Sequence, residues 1–312
     1  MNKVSSILVI VDPTAAAHPA LDKAARLAKA FDARLQLFAC ETQETRAPPP
    51  AGASQERGEG ELVADTFARL EAIGESLRKQ GVDASIDVIS GHPLHVRLLE
   101  RTKATCADLV VKDTHHHSLA RRTFLTNTDW HLIRGCPVPL LLTKPRAWSP
   151  APVLLAAIDP GHADDKPAAL DTCILECAAE LRRRLDAAIR VLHAFVPAIL
   201  TAEAASGMPV LAGDLTQELV DEERKAKRAE VGRLCALHGI EGQDIAIELG
   251  SATEALVRFA HDVNADVVIM GAIARSAIRR ALIGSTAERV LEYLPCDVLI
   301  VKPPDFAESL PF

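Results

Sequence analysis

Apolar runs of strand length alternate with longer amphipathic stretches along this chain, and the series plays twice. The first run (5–13) ends in Asp12-Pro13, and its counterpart PVLLAAIDP (152–160) ends in Asp159-Pro160. Each precedes an Ala- and Leu-rich stretch with helical character, at about 18–31 and 165–185. LQLFAC (35–40) and RVLHAF (190–195) follow and alternate well enough to predict strands. Polar or Pro/Gly-rich loops come next, then a long helix in each half leading to IDVISG (86–91) and IAIELG (245–250). Ser251-Ala-Thr-Glu254 then has the form of a capping box. Leu256, Phe259, Ala260 and Val263 fall at i, i+3, i+4 and i+7, one apolar helix face. ADLVVKD (107–113) and ADVVIMG (265–271) predict a fourth strand, and CPVPLLLTKP (136–145) and CDVLIVKPP (296–304) a fifth.

Alternating strands and helices predict an α/β fold, a mainly parallel sheet with helices on both faces, built twice. The proline-rich segment TKPRAWSPAP (143–152) reads as the linker, giving domains over 1–147 and 148–312. Ligands of such sheets bind beyond the carboxyl ends of the strands, where strand order reverses. That rule nominates Asp159, the turn after Met270 and the loop to Gly284.

Composition narrows the class. Hydrophobic residues are 48% and aromatics only 4%, so Ala, Val, Leu and Ile must fill the cores. A net charge of -7 repels a phosphate backbone and argues against a nucleic-acid partner. Seven dispersed Cys without a CxxC read as reduced thiols, and hence a cytoplasmic protein. Cys173 and Cys177 share a helix face and read as small apolar residues. No apolar stretch approaches the ~20 residues of a membrane span, and the N-terminus lacks the pattern of a signal peptide.

The densest chemistry lies in 267–303, where a strand, Gly271, a basic loop and Gly284-Ser285-Thr286 follow in turn. A helix N-terminus offers free N–H groups to phosphate, and glycine permits close approach. The Ser285 and Thr286 hydroxyls can donate to phosphate oxygens, while Arg275, Arg279 and Arg280 add positive charge. The alternative is a plain capping box, Ser285 to Glu288, with the arginines solvated.

These residues resemble the nucleotide motif of the universal stress proteins, G-x-x-G, nine residues, then G-[S/T]. Here Gly271-Ala-Ile-Ala274 is followed by nine residues and Gly284-Ser285. Ala274 stands in place of the second glycine, and alanine is disfavoured at positive φ. The resemblance covers essentially the whole chain, once per half. It implies two tandem Rossmann-like domains of the adenine nucleotide alpha hydrolase type, each with a five-stranded sheet. It also implies ATP, with or without magnesium, as ligand. By the resemblance Asp159 contacts the nucleoside, and Ala194 and Phe195 line the adenine pocket. Met270, Gly271, Ala274, Gly284, Ser285 and Thr286 hold ribose and phosphates.

The first half reads Asp113-Thr-His-His116, nine residues, then Thr126-Asn127, with every glycine gone. Asp113 puts a negative charge where phosphate would sit, so this half is expected not to bind ATP. The segment TNTDWHLIRGCPVPLLLTKP resembles the E-type tandem members, in which the first domain is degenerate. In the family fold, the loop carrying His115, His116 and His117 lies near the start of the helix carrying Asp129 and His131. His115, His117, Asp129 and His131 then form a candidate zinc set. The alternative is a polar loop, with Asp129 favouring the helix dipole. His92 and His95 are weighed as further ligands against partly exposed polar groups.

Catalysis finds little support, since no GxSxG elbow or P-loop occurs. The expectation is a nucleotide-dependent stress-response regulator or scaffold, at most a weak ATPase. The alternatives are a module holding an apolar ligand and a metal-dependent enzyme using the histidine loop. The last strands, about 138–143 and 297–302, are edge candidates expected to pair within an internal pseudo-dimer or across a homodimer.

Overall fold

The computed structural model describes residues 4–13, 15, 17–41, 58–117, 122–160, 169–206, 213–271, 290–303 and 306. The chain forms two compact units, Met1–Trp148 with Asp297–Phe312, and Ser149–Cys296.

In the first unit, β1 (Ser6–Ile10), β2 (Arg34–Glu41), β3 (Ala84–Ser90), β4 (Leu109–Asp113) and β7 (Leu140–Thr143) form a parallel sheet. Their order is β7-β4-β1-β2-β3. Crossovers step outward from β1 to β3, then return past β1 to β4, so right-handed connections place helices on opposite faces. Ile7, Leu8 and Val9 are fully buried in β1, where each large side chain contributes on the order of 1.5–3 kcal/mol. The outer strand β3 is only half-buried, because it has one neighbour and a face toward solvent. The helices are α1 (Pro19–Phe31), α2 (Glu59–Lys79), α3 (Leu94–Ala104) and α4 (Asn127–Gly135). The His115–His117 segment, expected to be a loop, is strand β5, paired antiparallel with β6 (Arg122–Phe124) in the register His115↔Phe124 and His117↔Arg122.

The second unit repeats the plan with β8 (Val153–Ala157), β9 (Ala188–Phe195), β10 (Ile245–Leu249) and β11 (Val267–Gly271), parallel in the order β10-β9-β8-β11. Helix α5 (Ala169–Leu185) packs on β8, β9 and β11, and α8 (Ala252–Asp262) on β9. The loop expected after β9 contains α6 (Ala198–Ser206), and α7 (Gly213–Ala236) follows it and packs on β10. Ser251 caps α8, its hydroxyl accepting from the Glu254 N–H at 3.3 Å.

The duplication reaches individual bonds. Asp32 and Asp186 follow α1 and α5 with left-handed φ of 54° and 51°, and Cys106 and Asn264 recur after α3 and α8 at 48° and 50°. Asp108 accepts from the N–H groups of Ser5 and Ser6 at 2.8 and 3.0 Å. Asp266 accepts from the N–H of Val153 at 2.9 Å and the Ser149 hydroxyl at 2.7 Å. Each carboxylate thus pins the start of one strand to its neighbour.

The last strand is β12 (Asp297–Val301). It lies antiparallel to β7, with Val298 opposite Leu142 and Ile300 opposite Leu140. Asp297, only 1% exposed, explains this placement. It accepts from Lys23 Nζ and the Lys144 N–H at 2.8 Å and from Trp148 Nε1 at 2.7 Å. Burial pushes its carboxyl above the usual range, and Lys23 opposes that shift. A buried carboxylate without these partners costs several kcal/mol, on the order of 3–5, so the strand stays where the lysine is.

Candidate functional site

Strand order reverses between β1 and β4 and again between β8 and β11, which marks one carboxyl edge in each unit. Matching hydrogen bonds align the two edges. The Val11 N–H donates to the Phe38 carbonyl at 2.9 Å, and the Ile158 N–H to the Leu192 carbonyl at 3.0 Å. Asp12 therefore matches Asp159, Ala39 matches His193, Cys40 matches Ala194 and Glu41 matches Phe195. The strand registers likewise match Lys112 with Met270 and Asp113 with Gly271.

In the first unit this edge is filled from within. Asp113 accepts from the Ala20 N–H at 2.8 Å and the Thr143 hydroxyl at 2.7 Å. It supplies the acceptor that the first turn of α1 lacks, because the N-cap His18 makes no side-chain cap. Burial pushes the Asp113 carboxyl up, against the pull of those two donors. Glu41 accepts from the Thr66 hydroxyl of α2, and Arg69 donates to that hydroxyl at 2.8 Å. Lys112 Nζ pairs with Asp129 at 2.7 Å, with the carboxylate fully buried.

The candidate zinc residues do not gather as a set among the described side chains. Asp129 is occupied twice, by Lys112 and by a capping box in which it accepts from the Thr126 N–H at 2.7 Å. His131 instead stacks on His95, with ring centroids 3.8 Å apart and planes 9° from parallel. Burial, then His131 and His92, hold the His95 imidazole below its ordinary value. The side chains of His115 and His117 lie outside the described residues, and no group of three or more metal-ligating side chains occurs among those described.

In the second unit the edge carries other chemistry. Asp159 follows β8 with its side chain 44% exposed. Its N–H donates to Asp171 Oδ1 of α5 at 3.1 Å, which fixes the backbone. Phe195 is buried at the end of β9, beside the half-buried Ala194. Met270 and Gly271 end β11, both half-buried. Gly271 has a packing reason to be glycine: a Cβ there would meet Leu170 Cγ of α5 at 2.8 Å. Ala274, Arg275, Gly284, Ser285 and Thr286 lie outside the described residues.

Two residues of this edge carried no functional reading in the sequence. Asp171, 4% exposed, braces Asp159, and its signal was the Leu-Asp pair shared with Leu21-Asp22 of α1. His193, 1% exposed, directs Nδ1 at the Ile158 carbonyl (3.2 Å) and toward Asp159 Oδ1 (3.6 Å). A solitary His in the apolar run RVLHAF was its signal. Burial holds the His193 imidazole below its ordinary value, opposed by the Ile158 carbonyl and Asp159. The cysteines are free thiols; Cys177 and Cys136 are buried, and burial raises them to about 12 and about 11.

The donor set fits an adenine nucleotide on the described side. Asp159 is an acceptor with a half-exposed side chain, Phe195 is an apolar wall, and Gly271 brings no carboxylate to the position of Asp113.

Comparison with known proteins agrees with the doubled fold. The model of the universal stress protein family matches residues 3–144 and again 154–302. Universal stress protein E of Escherichia coli strain K12 is 24% identical, over 98% of this chain and 96% of its own length. The crystal structure of a functionally unknown protein from Pseudomonas aeruginosa PAO1 superposes with a TM-score of 0.71, at 27% identity over 98% of this chain and 95% of that one. A universal stress protein from Archaeoglobus fulgidus gives 0.67 at 14% identity, over 95% and 98% of the two chains.

Proposed function

Because the chain belongs to the universal stress protein family, with two such domains in tandem, we propose that its second unit binds ATP or a related adenine nucleotide and acts as a nucleotide-dependent regulator or scaffold. The observation that carries this reading is the pairing of Gly271 with Asp113 at equivalent ends of β11 and β4. A phosphate 4 Å from a carboxylate meets repulsion of about 1–4 kcal/mol, depending on local screening. The first edge carries Asp12, Glu41 and Asp113, whereas the second keeps only the carboxylate of Asp159 at those positions. In this reading Asp159 accepts from the nucleoside, Phe195 and Ala194 flank the base, and Met270 and Gly271 border the ribose. Gly284, Ser285, Thr286 and Arg275 take the phosphates, with magnesium as a companion ion.

Calorimetric titration of the purified chain with ATP and magnesium, beside a Gly284→Val variant, tests this. The expected result is one site per chain, lost in the variant while its melting temperature holds. Equal heats in both proteins, or none in either, would remove the assignment.

One observation favours a second reading, an apolar ligand. Val196, Leu200, Leu215 and Leu219 stand 54%, 42%, 56% and 39% exposed just beyond the β9 edge and on α6 and α7. Native mass spectrometry of protein purified without added ligand separates the two: a co-purifying lipid-like mass supports this reading, and a nucleotide mass the first.

A further inference from the structure

At the amino end of the first unit's sheet, opposite its carboxyl edge, lies a hollow of about 280 Å³. It opens between the end of α1, the start of β2 and the turn into β3. Its floor is apolar, with Ala28, Ala33 and Val82 all buried. Its rim carries four exposed charges: Lys29 and Asp32 at the end of α1, Arg34 at the start of β2 and Asp83 before β3. None of these four side chains makes an ion pair or a hydrogen bond among the described residues. Arg78 lies near Asp83, but its guanidinium is held by Glu71 at 2.9 Å and by the Ala84 carbonyl at 2.8 Å.

The same place in the second unit is finished differently. The Ala33 N–H donates to the Ala28 carbonyl at 2.9 Å, and the Ala187 N–H to the Arg182 carbonyl at 3.1 Å. These bonds match Ala28 with Arg182 and Lys29 with Arg183. The Val82 N–H donates to the Leu77 carbonyl and the Ile240 N–H to that of Cys235, which matches Gly81 with Gly239 and Asp83 with Glu241. Arg182 reaches across to the Gly239 carbonyl at 3.5 Å. Arg183 is held by Glu180 at 2.6 Å, and Glu241 accepts from Gln243 at 2.9 Å. Ala188 stands in the place of Arg34, each donating its N–H to the residue before the adjoining strand. The second unit satisfies its charges internally here. The first has alanine where the spanning arginine would be, and keeps both the hollow and four charges without partners.

The rim sums to zero charge. A simple anion or cation meets attraction and repulsion in like measure there, whereas a molecule carrying both signs can satisfy both pairs. The Arg34 guanidinium presents a fork that fits a carboxylate, and Lys29 adds a point charge. Asp32 and Asp83 are acceptors for an ammonium. The volume lies at the small end of ligand clefts, which suits a molecule of few heavy atoms. We propose that this hollow binds a small zwitterion of the α-amino acid class. Its carboxylate lies on Arg34 and Lys29, its ammonium on Asp83 and Asp32, and its aliphatic part on the alanine floor. Exposed pairs of this kind are individually weak, so the affinity is millimolar. The proposal is independent of the nucleotide reading and gives the first unit a ligand of its own.

The test follows backbone amide shifts by NMR while the isotope-labelled full chain is titrated with L-alanine, and separately with acetate and with methylammonium. Alanine should shift the Gly81, Val82 and Asp83 amides saturably, with a millimolar Kd. Either half-molecule should bind about tenfold more weakly. Arg34→Gln and Asp83→Asn, both at exposed positions, should each weaken alanine binding about fivefold while the melting temperature holds. Ala28→Arg, which copies the second unit, should abolish binding, and the two rim variants decide the matter if it fails to fold. Four results would each overturn the proposal: no saturable shift with alanine, shifts confined to other residues, acetate binding as tightly as alanine, or wild-type affinity in both rim variants.

Discussion

Where β4 ends, Asp113 turns its carboxylate onto the first turn of α1 and the Thr143 hydroxyl; where β11 ends, Gly271 offers only hydrogen against Leu170. Lys112, one residue earlier, is locked to the buried Asp129, and its counterpart is the uncharged Met270. The same backbone has thus been finished in two ways. One copy satisfies its helix terminus and its strand end with its own side chains. The other leaves those positions to apolar groups and one half-exposed carboxylate. The difference shows that strand order fixes where a site can form, while the residues at the strand ends decide whether the protein fills that place itself.

The strongest break of this contrast is Asp129→Ala, which strands the buried Lys112 ammonium and should cost about 3–5 kcal/mol in urea unfolding. Restoring the second unit's solution, with Lys112→Met and Asp129→Leu together, should recover most of that loss. Next comes Gly271→Asp, which gives the second edge the first edge's carboxylate. Its crowding against Leu170 should cost about 1–3 kcal/mol, and the heat of ATP binding should vanish. Adding Leu170→Ala should restore stability but not binding; recovered binding would show that crowding rather than charge was responsible.

A smaller effect concerns Asp113. Replacing it by Ala removes the acceptor of the α1 terminus and should cost about 0.5–2 kcal/mol, read by thermal unfolding. Burial raises its folded pKa above the unfolded value near 3.8. The folded state then binds the proton more tightly, so this group's contribution to stability falls as pH rises from about 4 toward the folded value. Asp113→Asn should flatten that part of the stability curve. The least effect belongs to His193, whose folded pKa lies below the unfolded value near 6.5. Its contribution improves as pH rises toward 6.5, and melting curves of His193→Phe between pH 5 and 7.5 should lack that increment.

Much of this was legible in the apolar runs, since buried parallel strands declare themselves as continuous Val, Leu and Ile. The repeat, and the missing carboxylate at the end of β11, could be read from Asp12 beside Asp159 and Asp113 beside Gly271. The zinc set was less secure because Thr126-Asn-Thr-Asp129 is itself a capping signature, and the structure uses Asp129 that way. Three histidines in a row gave no period by which to tell a loop from the ribbon they form with Arg122–Phe124. His193 was invisible because one polar residue inside an apolar strand says nothing of which neighbour it meets. The pairing of CDVLIVKPP with the last strand of the first half was expected from two matching edges. Its anchor, the distant Lys23, was not.

That last pairing governs the order of biosynthesis. Lys23 and Asp297 are separated by 274 positions, with the whole of the second unit between them. As the chain leaves the ribosome, the first unit is begun before the second yet completed after it, because the strand that covers β7 is translated after β8 to β11. Until then β7 exposes an unpaired edge of Leu140, Leu141 and Leu142, the sort of template on which nascent chains associate. A contact of such high sequence separation also forms slowly, so the second unit has time to fold as an independent insert before the first is sealed around its own two ends.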